Sequence, residues 1–243
     1  MHSNDKAQGA SVQTFIEPPL ISEMTARILL NTGAVLFNAQ KPFVFTSGWA
    51  SPVYVDCRRV ISYPIPRQVL TRFAAGEIQR RIGMGNIDSV VGGEAAGIPF
   101  AAWIADVLGL PMQFVRKKTQ GVGGKAQVEG VLTAGTRALL VEDLTTDGRS
   151  KLDFCQALRR AGAEVDHIFV FFYYDIFEQS RRIIADLGVT MHALATWHDV
   201  LAVAKTGGHF DTKTLGEVER FLDSPAEWSA RHGGLSEFPA SLQ

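Results

Sequence analysis

ALLVEDLTTDGRS, residues 138–150, is the most informative segment of the chain. Its first four residues are apolar, as in a buried strand, and they run into two adjacent acids, Glu142 and Asp143. A turn rich in hydroxyl groups follows, with Gly148 in it, and a helix is expected from Ser150. Ligands of open α/β sheets bind beyond the carboxyl ends of the strands, so we expect a ligand at this turn.

Two kinds of chemistry meet in this turn. Its peptide N–H groups lie at the positive end of the following helix dipole, which favours a phosphate, and Thr145, Thr146 and Ser150 could add hydroxyl donors. The two acids repel a phosphate, but they can accept hydrogen bonds from sugar hydroxyls or orient a hydrated Mg²⁺. The segment therefore indicates a sugar phosphate, although an acidic pair that only caps a helix would give a similar sequence.

The chain around this segment alternates between apolar strands and helices. Strands are expected at residues 89–91, 112–115, 127–132, 137–141, 165–173 and 189–194. Helices are expected at residues 20–30, 67–81, 98–108, 150–161 and 179–187. Apolar strands separated by helices predict an α/β fold with a mainly parallel central sheet flanked by helices.

One domain with additions is the interpretation of the whole chain. Residues 1–19 form an expected flexible lead-in, and residues 20–243 a single domain. The core of that domain is expected at 66–194, with an N-terminal addition at 20–65 and a C-terminal helical extension at 195–243.

Composition excludes several classes of protein. The 243 residues are 46% hydrophobic and 20% charged, and the net charge is −1, so a basic nucleic-acid binder is not expected. The two cysteines, Cys57 and Cys155, are far from any metal-ligand spacing. The N-terminus lacks the apolar core of a signal peptide, and no apolar run is long enough to cross a bilayer. We expect a soluble, cytoplasmic protein with no nucleic-acid or membrane partner.

Two further segments could meet anions. Residues 92–99, GGEAAGIP, follow a strand, and their small side chains let main-chain amides approach a second anion; a tight turn chosen for packing is the alternative. Residues 115–130, VRKKTQGVGGKAQVEG, place three cations before a glycine-rich stretch. That pattern is typical of a lid that closes on an anion and excludes water, but also of an ordinary solvated loop.

A fourth segment, residues 43–58, reads FVFTSGWASPVYVDCR. It offers backbone and hydroxyl groups for the polar edges of a small ring and aromatic surface for its face. Arg58 could pair with a ligand carboxylate or with an acid of the protein, and the sequence leaves both open.

Together these four segments resemble type I phosphoribosyltransferases, and residues 43–58 resemble the N-terminal hood of orotate phosphoribosyltransferases. The resemblance runs from about Leu20 to Trp228. It implies the type I phosphoribosyltransferase fold, with residues 20–65 as a small hood. It also implies that orotate and 5-phosphoribosyl-1-pyrophosphate (PRPP) give orotidine 5′-phosphate and pyrophosphate in pyrimidine biosynthesis, with Mg²⁺ held mainly by the substrate and a homodimer that shares its active sites.

The same resemblance assigns the site residues. Ribose and 5′-phosphate are implied to contact Glu142, Asp143, Leu144, Thr145, Thr146, Asp147, Gly148, Arg149 and Ser150. Pyrophosphate is implied to contact Glu94, Ala95, Ala96, Arg116 and Lys117. Orotate is implied to contact Ser47, Ser51, Tyr54, Arg58 and Thr146. The implied catalytic residues are Arg116, Lys117, Lys118 and Asp143.

The lid segment departs from the family pattern. A further Lys and a His of that pattern are replaced by Gln120 and Val122, although Lys118 or Lys125 could substitute for them. Two other functions therefore stay open beside orotate phosphoribosyl transfer. One is phosphoribosyl transfer to a different base, and the other is a catalytically weak protein that binds PRPP on the same fold.

Overall fold

The computed structural model describes residues 17–45, 47–120 and 126–237, with the backbone alone at 119, 120 and 126. Its helices are α1 (Pro18–Asn31), α2 (Pro64–Arg81), α3 (Gly97–Leu108), α4 (Arg149–Arg160), α5 (Glu178–Asp186), α6 (Trp197–Gly207), α7 (Thr212–Asp223) and α8 (Pro225–Arg231). Its strands are β1 (Val35–Phe37), β2 (Phe43–Val44), β3 (Ala50–Ser51), β4 (Val53–Val55), β5 (Ser89–Gly93), β6 (Met112–Gln120), β7 (Ala126–Glu129), β8 (Arg137–Thr145), β9 (Glu164–Tyr173) and β10 (Thr190–Thr196).

A six-stranded sheet in the order β10-β9-β8-β5-β6-β7 forms the centre of the molecule. All neighbouring strands in it are parallel except β7, which is antiparallel to β6. The predicted α/β fold with a mainly parallel sheet is confirmed. Gly92 on β5 lies opposite Val141 on β8, so β5 ends beside the acid pair while β8 continues to Thr145.

Helices cover both faces of this sheet. Alternate residues of each strand point to opposite faces, so the side chains of one strand pack in two different core clusters. Leu139 and Val141 of β8 pack in the larger core cluster, with α1, α2, α3 and α6. Leu140, between them, packs in the second cluster with Phe154 and Leu158 of α4 and with Ile184 of α5. Strands buried on two faces read as continuous apolar runs, which is why the sequence identified them.

Two predicted boundaries are wrong at the sheet edge. The strand expected to end at Val115 continues through the three cations to Gln120, because it pairs with β7. The strand expected at 127–132 ends at Glu129, since Gly130 takes a left-handed φ of 96° and turns the chain. At the other end of the chain, α1 begins at Pro18, within the expected lead-in, since proline is well tolerated in the first helical turn.

Outside the sheet lie two small antiparallel pairs and three C-terminal helices. β1 pairs with β4 and β2 pairs with β3, and these pairs form the hood region. The helices α6, α7 and α8 occupy the stretch for which the sequence predicts a helical extension. None of the described helices is both long enough and apolar enough to cross a membrane.

Candidate active site

One cavity of about 550 Å³ opens at the carboxyl ends of β5, β6, β8 and β9, with the hood on its other side. The residues proposed from the sequence that line it are Tyr54, Arg58, Glu94, Ala95, Ala96, Lys117, Glu142, Asp143, Leu144, Thr146, Asp147, Gly148 and Ser150. The proposed residues that lie outside its lining are Ser47, Ser51, Arg116, Lys118, Thr145 and Arg149. All four sequence segments thus reach the same cavity, although not with every residue.

A buried ion pair holds the first acid of the pair. Lys151 is only 2% exposed, and its Nζ donates to Glu142 Oε2 at 2.7 Å. The same Nζ donates to the Leu144 carbonyl at 2.8 Å and to Ser150 Oγ at 3.1 Å. All three protons of the ammonium group are therefore used, and they tie the end of β8 to the start of α4.

Glycine makes room for the Glu142 carboxylate. A Cβ atom at Gly93 would overlap Glu142 Oε1, and a Cβ atom at Gly97 would overlap the Val141 carbonyl. Within the described chain, Oε1 is buried and accepts no hydrogen bond. The small residues of the segment 92–99 thus serve packing against the acid pair as well as any contact with an anion.

Asp143, the second acid, is buried beside Glu142 with 8% of its surface exposed. Burial, and then the charge of Glu142, raise the pKa of Asp143 to about 6, against the opposing effect of Lys151 and of the Leu144 N–H. Asp143 is therefore a carboxylate at pH 7 but becomes protonated as the pH falls through about 6. Keeping its charge at pH 7 destabilises the folded state.

The turn after the acids has the shape expected of a phosphate site. Gly148 precedes α4 with a left-handed φ of 82°, and the N–H groups of the first turn of this 12-residue helix follow it. Thr146, Asp147, Gly148 and Ser150 line the cavity there. The Arg149 N–H donates to Asp147 Oδ1 at 3.2 Å and the Lys151 N–H donates to the Gly148 carbonyl at 3.0 Å, so the hydroxyls of Thr146 and Ser150 are the donors that this turn brings to the cavity lining.

Two residues of this turn are placed differently from the rest. Thr145 is the last residue of β8 and is buried to 1% exposure, outside the cavity lining. Arg149 Nε donates to Asp147 Oδ2 at 2.8 Å, so its side chain pairs with the acid of its own turn. That pair holds the long Arg149 side chain against its own turn.

The loop 94–96 reaches the cavity between β5 and α3. Its first peptide bond, Glu94–Ala95, is cis. Glu94 Oε2 accepts the Lys117 N–H at 2.8 Å, and the Glu94 N–H donates to the Val115 carbonyl at 2.9 Å. These two hydrogen bonds fix the loop to β6 at Val115 and Lys117, within the stretch of the strand that carries the three cations.

The three cations of β6 have different surroundings. Arg116 Nε pairs with Glu129 Oε1 of β7 at 2.9 Å, and Lys117 lines the cavity. Lys118 lies beside Lys117 at a second, more open cavity of about 540 Å³, which Arg160 also lines. Of the three cations of β6, only Lys117 lines the main cavity in the described part of the chain.

The rest of the predicted lid lies outside the described residues. These are Val122 and Lys125, together with the side chain of Gln120, of which the structure gives the backbone only. The roles inferred for these three positions stay predictions.

The hood supplies an aromatic wall and one cation. Phe45 packs against Tyr54 and, edge to face at 5.8 Å between ring centres, against Tyr174 at the end of β9. All three rings line the cavity. Arg58 Nε donates to Asp56 Oδ1 at 2.6 Å, and this pairing raises the pKa of Arg58. Arg58 therefore has an acid partner and also faces the cavity.

The two serines proposed for orotate lie in the hood but away from the cavity. Ser51 is fully buried, and its Oγ donates to the Val53 carbonyl at 2.7 Å. Ser47 lies in the turn between β2 and β3. In this structure Ser51 supports the hood backbone.

Sequence reasoning missed several lining residues, namely Val44, Phe45, Val55, Asp56, Lys151 and Tyr174. A signal for Lys151 was present, because it occupies the buried stripe of α4 with Phe154, Cys155 and Leu158. A lysine on the buried face of a helix is almost always paired with an acid, so an acidic partner for Lys151 could have been predicted. Tyr174 gave no comparable signal, since it ends an apolar strand; its hydroxyl accepts the Val55 N–H at 3.2 Å.

The central part of the chain is similar to a known protein family. Residues 65–186 match the family model described as the phosphoribosyl transferase domain. These residues contain the loop 94–96, the acid pair and the turn before α4, and leave out the hood and the C-terminal helices. The fold and the site are those of a phosphoribosyltransferase.

Relatives over the whole chain narrow the assignment. An orotate phosphoribosyltransferase of Agrobacterium fabrum is 49% identical over 94% of this chain and 98% of its own length. One of Cereibacter sphaeroides is 52% identical over 86% of this chain and 90% of its own. The crystal structure of orotate phosphoribosyltransferase from Aeropyrum pernix is 29% identical, with a TM-score of 0.63 over 76% of this chain and 99% of that one. The chain belongs to the orotate phosphoribosyltransferase family.

A larger protein shares the same unit. The structure of Leishmania donovani UMP synthase is 26% identical with a TM-score of 0.73. The match covers 83% of this chain but only 42% of that protein.

Removing the ammonium group of Lys151 tests the ion pair. Lys151→Met leaves a buried carboxylate without its partner, so we expect the free energy of unfolding to fall by about 3–5 kcal/mol. Lys151→Met combined with Glu142→Gln should recover much of that loss, because no buried charge is then unpaired. Urea unfolding of the three proteins checks this. Equal stability of the single and double variants would contradict the pairing.

The raised pKa of Asp143 gives a second prediction. A carboxyl whose pKa is higher in the folded state destabilises the fold above that pKa and ceases to do so as it becomes protonated. Asp143→Asn should therefore raise the melting temperature at pH 8 by about 3 °C, with the difference shrinking as the pH falls through 6. Thermal melts at pH 5 and pH 8 check this, with Asp153→Asn on the surface of α4 as the control. A variant less stable than the wild type at pH 8 would be inconsistent with a costly charge.

Proposed function

We propose that the protein is an active orotate phosphoribosyltransferase. It transfers the phosphoribosyl group of PRPP to a ring nitrogen of orotate and releases pyrophosphate. The observation that carries this proposal is the single cavity onto which the acid pair, the N-terminus of α4, the loop 94–96 and the hood all converge.

The sugar end of PRPP fits beside α4. The 5′-phosphate would accept hydrogen bonds from the turn at Thr146–Ser150, where N–H groups and hydroxyls are exposed to the cavity. Asp143, as a carboxylate, would accept from the ribose hydroxyls next to it, and Glu142 supports it from the same strand. Donors for a phosphate and acceptors for a diol thus lie side by side, as a sugar phosphate requires.

The pyrophosphate end fits between the loop 94–96 and β6. Backbone amides near Ala95 and Ala96 and the ammonium group of Lys117 are the donors available there. Arg116 and Lys118 follow on the same strand, and we propose that they contribute when the segment after Gln120 covers the site. Closure would exclude water from the reacting groups.

Orotate fits against the hood. Phe45, Tyr54 and Tyr174 offer flat apolar surface to a pyrimidine ring, and Arg58 offers a guanidinium group to its carboxylate. Because Arg58 is paired with Asp56, its planar fork is already oriented toward the cavity wall. The aromatic wall explains a preference for a planar acceptor, and the cation explains a preference for an anionic one.

No nucleophile of the protein is required for this chemistry. The ring nitrogen of orotate attacks C1′ as the bond to pyrophosphate breaks, through a transition state with oxocarbenium character, and its N–H proton passes to solvent or to the departing pyrophosphate. The protein orients the two substrates and stabilises charge on the departing group. The hood and the turn before α4 orient the two substrates. Lys117, with Arg116 and Lys118, stabilises the charge on the departing pyrophosphate.

Charges in the cavity lining fit a divalent cation that enters with PRPP. Asp56, Glu94, Glu142, Asp143 and Asp147 outnumber the three lining cations, Arg58, Lys117 and Lys151. Within the described residues, no group of three His, Cys, Asp or Glu side chains is placed to hold a metal ion. Mg²⁺ bound to pyrophosphate would supply the missing positive charge, with waters oriented by Glu142 or Asp143.

Assembly and location complete the proposal. We propose a homodimer in which the segment after β6 serves the neighbouring subunit's site. We also propose a cytoplasmic location, where the two free thiols, Cys57 and Cys155, stay reduced; both are buried.

An orotate consumption assay on the purified protein tests this function. We expect orotate to be consumed only with PRPP and Mg²⁺ present, EDTA to stop the reaction, and excess Mg²⁺ to restore it. Consumption of hypoxanthine but not orotate would favour transfer to another base. Tight PRPP binding without turnover of any base would favour a binding protein.

Replacing the residue that departs from the family pattern tests the lid. Gln120→Lys adds positive charge where the leaving group develops negative charge, so kcat should rise, by up to about tenfold. Lys118→Ala should lower kcat for the same reason. If both variants match the wild type, the cations of this segment do not stabilise the departing pyrophosphate.

A further inference from the structure

The C-terminal segment, residues 225–235, packs against the hairpin β2–β3, which forms part of the cavity wall. Ser229 of α8 is fully buried, and its Oγ accepts the Ala50 N–H at 2.9 Å. The Leu235 N–H donates to the Gly48 carbonyl at 2.9 Å. Both contacts join residues nearly the whole chain length apart, and both fall outside the 65–186 stretch that defines the class.

The fit between these segments is close. A Cβ atom at Gly48 would lie 2.8 Å from Leu235 Cδ1, so the leucine side chain covers that glycine. A Cβ atom at Gly234 would overlap both the Ala50 nitrogen and Ser229 Oγ. The C-terminal segment therefore packs directly against the backbone of the hairpin as well as against its side chains.

The hairpin needs such support because it is very short. Only two residue pairs form its ladder, Phe43 with Ser51 and Val44 with Ala50. An isolated hairpin is marginal in water even when it is longer than this. Its geometry therefore depends on what packs against it, which includes Phe177, whose ring centre lies 5.0 Å from that of Trp49 in the hairpin turn, and the C-terminal segment.

The supported backbone leads directly to the acceptor end of the cavity. Ala50 pairs with Val44, and the Phe45 N–H donates to the Trp49 carbonyl at 2.8 Å. Val44 and Phe45 line the cavity, while no residue of the C-terminal segment does. The segment can thus act on the acceptor only through the hairpin, and it is remote from the turn that faces the sugar phosphate.

We infer that the C-terminal segment positions the acceptor wall, with Ser229 as a positioning residue for orotate binding. The inference rests on the proposed function, because it concerns the acceptor of that reaction. A loss of these contacts should weaken binding of orotate and leave binding of PRPP unchanged, whereas a purely structural role would affect stability or both substrates alike.

Steady-state kinetics of Ser229→Ala test the inference, with Ser236→Ala as the matched control, since Ser236 is exposed and directly follows the segment. We expect the KM for orotate to rise about fivefold, the effect of losing one buried hydrogen bond, with kcat and the KM for PRPP close to wild type. The control should match wild type in all three. Leu235→Ala, a more exposed position, should shift the KM for orotate in the same direction and serves if Ser229→Ala does not fold.

The outcomes separate the two proposals. A wild-type protein that does not consume orotate overturns the proposed function and this inference with it. A wild-type protein that does, with variants that keep the wild-type KM for orotate, that raise both KM values equally or that only lower the melting temperature, overturns the inference alone.

Discussion

The ion pair of Glu142 with Lys151 is the interaction on which the cavity depends. Two adjacent acids end a strand that is buried on both faces, and burial works against their charge. Lys151 neutralises one of them and, with its two remaining protons, fixes Leu144 and Ser150 at the start of the turn. The same lysine moderates the rise in the pKa of Asp143. Lys151 therefore supports both the start of the turn before α4 and the charge of Asp143.

Pairing of this kind recurs around the cavity. Arg58 is held by Asp56, Arg149 by Asp147 and Arg116 by Glu129. Each arginine is thus oriented by an acid of the protein, and Asp56, Asp147 and Glu129 are each paired before any polyanion enters. Electrostatic attraction for PRPP then falls to Lys117, to helix and loop N–H groups and to the cation that accompanies the substrate, which suits a site that must also release pyrophosphate.

Much of the fold followed from the sequence, because buried parallel strands leave continuous apolar runs and helices leave a periodic stripe. The turn between β8 and α4 followed for the same reason, since its position after the strand is local information; its role as a phosphate site stays a prediction. Contacts between segments could not be predicted in this way. β6 continues past Val115 because it pairs with β7, and Lys151 forms an ion pair with Glu142 across the turn. The hydroxyl of Ser51 was predicted for orotate but is used by the backbone, a choice that only the packed hood determines.

The match to residues 65–186 stops short of the hood, which lines one side of the cavity, and of α8, which packs against β3 of the hood. The cavity is therefore assembled from a shared catalytic body and two peripheral pieces that meet each other at the hairpin. Under the proposed function, residues on both sides of the matched stretch contribute to binding of the base, whereas the residues that bind the activated sugar lie within it. Divergence confined to the two ends of the chain would retune which ring is accepted while the inherited centre stays as it is.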